Sequence, residues 1–70
     1  MVDVNKLRGV IAENGKSQSQ VARMLGISSR TFYSKMNRKV FDSDEIYRMM
    51  QYLGIKNEDA ISIFFAHNVT

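Results

Sequence analysis

Cysteine and proline are both absent from this 70-residue chain. The first absence excludes disulfides, a thiol nucleophile and the usual zinc frameworks, so helix packing alone must hold the fold together, as suits a reducing cytoplasm. The second goes with the lack of any linker, internal repeat or low-complexity stretch. No apolar run approaches the roughly 18 residues a membrane span needs. The start, MVDVNKLRG, has neither the basic opening nor the apolar middle of a signal peptide. A soluble cytoplasmic protein is expected. The lone histidine, His67, has no cysteine or acid beside it. No nucleophile is paired with a base, and no loop is built to cradle a phosphate. The chain therefore does not read as an enzyme: no catalytic residue, no metal, no cofactor and no small-molecule substrate are expected.

Acids are missing too, but only from one stretch. Residues 16–41 hold Lys16, Arg23, Arg30, Lys35, Arg38 and Lys39 and no Asp or Glu. Residues 1–15 balance Asp3 and Glu13 against Lys6 and Arg8. Residues 42–70 set Asp42, Asp44, Glu45, Glu58 and Asp59 against only Arg48 and Lys56. The net charge of +3 thus hides a basic middle third. Such a local field attracts a polyanion, and nucleic acid is the commonest one in a cytoplasm. The plainer alternative is a solvated basic face with no partner.

What is present is helical periodicity. A chain this short forms one domain, residues 1–70, too small to carry an extended cleft beside its core. Val4, Leu7, Val10 and Ile11 predict a helix over residues 4–14 that Gly15 ends in the left-handed conformation. Ser17 and Gln20 make a capping box for a second helix, with Val21, Ala22 and Leu25 inward and Gly26 as its stop. Ile27 follows in the turn. Ser28 then caps a third helix, roughly residues 29–37, that buries Phe32 and Met36. After a loop in which Val40, Phe41 or both meet the core, Asp42 or Ser43 starts a fourth helix, with Glu45 in its first turn. Ile46, Met49, Met50 and Leu53 form its stripe, and Gly54 ends it. Asn57 is expected to cap a fifth helix with Ile61, Phe64 and Phe65 inward, and the tail from His67 to fray. Met24, Met36, Met49 and Met50 read as core filling, and Asp42, Asp44 and Glu45 as acids of a helix start. The class is all-α, with five short helices.

The second and third helices are the informative pair. Two helices crossing at about 100 degrees need a small residue at their approach, a glycine in the turn and apolar residues in the angle. Ala22, Gly26 and the set Val21, Leu25, Ile27 and Phe32 supply these. The stretch QSQVARMLGISSRTFYSKMN, residues 18–37, is therefore read as a helix-turn-helix whose second helix faces a DNA major groove.

On those residues the chain resembles the lambda repressor and Cro (XRE-type) family, and most closely its small phage-type members through ISSRTFYSKMN. The likeness covers nearly the whole chain and implies a compact five-helix lambda-repressor-like domain. One departure is that Lys35 stands where many members carry an aliphatic residue, with Met36 next to it, so the buried anchor moves by one position.

The resemblance implies a transcriptional regulator that binds double-stranded operator DNA as a homodimer, in a bacterial cell or a phage-infected host. It places Gln18 near a phosphate, with Ser17 and the helix N-terminal amides beside it. Base reading then falls to Ser28, Ser29, Arg30, Tyr33 and Ser34, with Thr31 beside them. Arg30 is the candidate for a bidentate contact to guanine, its other reading being a solvated or phosphate-bound side chain. Tyr33 meets a thymine methyl or a phosphate, or else lies half-buried against the fourth helix. Lys35, Asn37, Arg38 and Lys39 are candidates for phosphates. Ile63, Ala66 and Val69 are candidates for the dimer surface. A chain this short leaves no room for a separate oligomerisation domain, which favours a Cro-like protein or a fragment. The alternative function is a helix-turn-helix module that binds protein, such as an antitoxin or antirepressor.

Overall fold

In the computed structural model, which describes residues 1–66, every helix but the last begins on a side-chain cap. The order is α1 (Val4–Glu13), α2 (Gln18–Leu25), α3 (Ser29–Arg38), α4 (Ser43–Leu53) and α5 (Asn57–Phe64), with no strand among the described residues. Asp3, Ser17, Ser28 and Asp42 each accept the backbone amide three residues on. At Ser17 and Asp42 the bond is reciprocated, by Gln20 and Glu45. Such caps satisfy amides that the first helical turn leaves without a partner, typically worth about 1 kcal/mol each.

The stops are as local as the starts. α2 and α4 end on Gly26 and Gly54 in the left-handed region, at φ 76° and 63°. A Cβ on Gly26 would meet nothing within 4 Å, so backbone conformation rather than crowding selects glycine there. α3 runs one residue beyond its predicted end, and its left-handed cap is Lys39 at φ 60°, a conformation L side chains seldom adopt. The amide of Val2 donates to the Lys39 carbonyl at 3.2 Å and gives this unusual cap a partner from the start of the chain.

A single core joins the five helices. Leu7 and Ile11 of α1, Val21, Ala22 and Leu25 of α2, and Phe32 and Met36 of α3 are buried with Ile46, Met49 and Leu53 of α4. α2 touches α1, α3 and α4, and α1 touches α5. The α2–α3 pair is therefore tied to the rest of the domain mainly through α2. Between α3 and α4, Phe41 is buried with its ring 5.5 Å from that of Phe32, whereas Val40 is exposed. No helix among the described residues is long and apolar enough to cross a membrane.

α5 departs from expectation in two ways. Its cap is Lys56, which makes no side-chain bond, and Asn57 is the first helical residue. Its buried set is Ala60, Ile63 and Phe64, while Ile61 is 64% and Phe65 55% exposed. Rotation by one residue follows from partners far away in sequence. α1 packs against α5, and residues 1–3 run beside its end, where the Asp3 amide donates to the Ile63 carbonyl at 2.6 Å and Val2 is buried. The assignment of Ile63 to a dimer surface is corrected: at 3% exposure it belongs to the core. Val69, assigned with it, and His67 lie outside the described residues.

Candidate nucleic-acid interface

The turn between α2 and α3 is fixed from both sides. From within, the Ile27 amide donates to the Ala22 carbonyl at 3.0 Å. From without, the guanidinium of Arg48 on α4 donates to the carbonyls of Met24 at 2.6 Å and Leu25 at 3.3 Å. A cation at a helix C-terminus answers carbonyls that the last turn leaves unpaired. Arg48 thus anchors the turn to α4. Nothing in its sequence neighbourhood signals this, because its partners lie more than twenty residues away.

The predicted base-reading residues divide into two groups. Ser28 and Ser29 spend their hydroxyls at the start of α3: Ser28 Oγ accepts the Thr31 amide at 3.1 Å and donates to Thr31 Oγ1 at 2.9 Å, and Ser29 Oγ donates to Ser19 Oγ on α2 at 3.2 Å. These bonds position the helix. Arg30, Tyr33 and Ser34, by contrast, are exposed. The side chains of Arg30 and Ser34 make no hydrogen bond or ion pair with the described residues. With Asn37 they lie at i, i+3, i+4 and i+7, one stripe of a helix whose opposite face is Phe32 and Met36. Tyr33 is 51% exposed, with its ring edge-on to Phe32.

The predicted phosphate set divides likewise. Arg38 and Lys39 at the end of α3 are exposed, as is Arg23 on α2. Gln18 is half-buried. Ser17 Oγ is engaged as an acceptor by the Gln20 amide at 3.1 Å, and its own amide donates to Gln20 Oε1 at 2.7 Å. Lys35 is held elsewhere: its ammonium sits 3.1 Å from Glu45 Oε2 and 3.2 Å from Oε1. Lys16 lies over the Tyr52 ring, 5.1 Å from its centre, a cation–π contact that anchors the charge without removing it.

Arg30 in the α3 stripe, Arg38 and Lys39 at its end and Arg23 on α2 are thus all exposed, with the short polar side chains of the stripe exposed beside Arg30 and no acid in the sequence between residues 16 and 41. Chemically these residues offer charge to phosphates and a few short polar groups plus one guanidinium to base edges. A groove of about 410 Å³ lined by α1, α5 and the end of α4 takes none of its lining from α3. Among the described residues no group of His, Cys, Asp or Glu is placed to hold a metal ion. Ala66, the remaining dimer candidate, is half-buried, with its carbonyl 3.4 Å from the Met1 ammonium.

Over residues 1–67 the chain matches the model of a family described as "Protein of unknown function (DUF739)". No curated protein and no solved structure matches it.

Proposed function

We propose that this chain, which belongs to the DUF739 family, is a sequence-specific DNA-binding regulator of the phage repressor and Cro type, with α3 lying in the major groove of an operator. The observation that carries the reading is the stripe of Arg30, Tyr33, Ser34 and Asn37, exposed on a helix whose other face is core and whose end carries Arg38 and Lys39. Arg30 reads guanine, Tyr33 and Ser34 read the neighbouring edges, and the helix-end cations with Gln18 hold phosphates. A second copy on a palindromic site follows from the same resemblance, with half-sites about 34 Å apart. Because Ile63 is buried, Ile61 on α5 and Phe65 just after it are the exposed large apolar side chains at this end of the chain that a second copy could cover.

The test is selection of a preferred site from random duplexes, then titration of that site and a random duplex at two salt concentrations. The reading expects tight, salt-dependent binding with a clear preference for the selected site. A protein that binds neither duplex, or captures only a protein partner, would support the interaction-module alternative instead.

A further inference from the structure

The candidate interface accounts for every basic residue of α3 except Lys35, and it leaves unexplained why the domain buries one acid. Glu45 is the sole buried polar or charged residue among those described, at 8% exposure. Its carboxylate takes part in two structures at once. Oε1 accepts the Asp42 amide at 2.9 Å, closing the capping box that starts α4, and both oxygens face the Lys35 ammonium at 3.2 and 3.1 Å. The Asp42 carboxylate in turn accepts the Glu45 amide at 2.8 Å, so the acid is held by the start of α4 as well as by Lys35.

We propose that Glu45 and Lys35 are positioning residues for α3: a charge on the rigid start of α4 holds the middle of the recognition helix, and so sets the angle at which Arg30 and Ser34 meet DNA. Phe32 and Met36 bury one face of α3, but apolar contact is non-directional and tolerates small rotations about the helix axis. A charge-assisted contact from the middle of α3 to a carboxylate held by the α4 capping box adds a tie between one point on each helix. An ion pair with side chains 21% and 10% exposed loses much of its attraction to the cost of desolvation, and the use proposed for it is to favour one geometry. Lys35 then contributes to specificity while contributing nothing to phosphate neutralisation, which reverses its expected role. Where it concerns DNA, the inference rests on the reading of α3 as the recognition helix.

The test uses the double variant Lys35→Met/Glu45→Gln. It leaves no charge unpaired, keeps a side-chain oxygen for the Asp42 amide, and so remains folded by circular dichroism. The expected result is loss of about tenfold in the ratio of selected-site to random-duplex affinity, the size of one bidentate base contact. The salt slope stays that of the wild type, and Lys35→Arg keeps the wild-type ratio. A slope lower by about 0.9 with the ratio intact would make Lys35 a phosphate contact and overturn the proposal. Hydrogen exchange of the free protein gives an arm that does not depend on DNA. The double variant is expected to speed exchange of the α3 amides about tenfold relative to those of α2, as a loosened local unit does. Unchanged α3 exchange would overturn the positioning role even if DNA binding is confirmed. Faster exchange in a protein that binds no duplex would uphold the role and reject the DNA reading alone.

Discussion

The α2–α3 pair and α5 reach the same core by different means. Each helix of the pair carries its own instructions: Ser17 with Gln20 starts α2, Gly26 stops it, and Ser28 starts α3. α5 begins on Lys56 without a side-chain bond and is fixed by α1 and by the strap formed by Val2 and Asp3. The difference teaches that the starts of α2 and α3 and the stop of α2 are written by neighbours in sequence, whereas the element that closes the domain is placed by the far end of the chain.

The largest effect expected from this contrast lies in α5. Ile63→Ala should cost about 2–5 kcal/mol, as deletion of a fully buried aliphatic does. Ile61→Ala, two residues earlier, should fall within about 0.5 kcal/mol of the wild type. Urea denaturation of both decides the phase of the helix. Equal losses would restore the Ile61 face to the core.

Smaller effects separate the caps. Ser17→Ala should destabilise by about 1 kcal/mol, and Lys56→Ser, by supplying the cap that α5 lacks, should stabilise by up to about 1 kcal/mol. Thermal melts measure both, since each kcal/mol moves the midpoint of a domain this small by roughly 4–8 °C. A loss at Lys56→Ser would mean that the strap, not the cap, limits α5.

This contrast also marks what was legible in the sequence. The five helices, the Ser17 box, the glycine stops at Gly26 and Gly54, the buried sets of α2 and α3, and Ile46, Met49 and Leu53 of α4 follow from spacing and caps, which act over a few residues; Met50, expected in the same stripe, is only partly buried, and Glu45 takes a buried place that no apolar pattern marks. The shift of the α3 anchor to Met36 was legible for the same reason. α5 was not: Ala60 is too small to stand out in a stripe, and Ile61, Phe64 and Phe65 imitate one. Within the candidate interface, the exposure of Arg30 and the freedom of Ser34 followed from the helical stripe. The engagement of Lys35 by Glu45, of the turn carbonyls by Arg48, and of the Lys39 carbonyl by Val2 did not. Those partners are separated by 10 residues or more, and no local pattern encodes them.

The central claim, that the exposed face of α3 reads bases, comes down to comparing Arg30→Ala with Lys39→Ala on the selected site and on a random duplex. Arg30→Ala should weaken the selected site by roughly 1–3 kcal/mol more than the random one. Lys39→Ala should weaken both alike and lower the salt slope by about 0.9. Equal losses on the two duplexes for Arg30→Ala would contradict the claim.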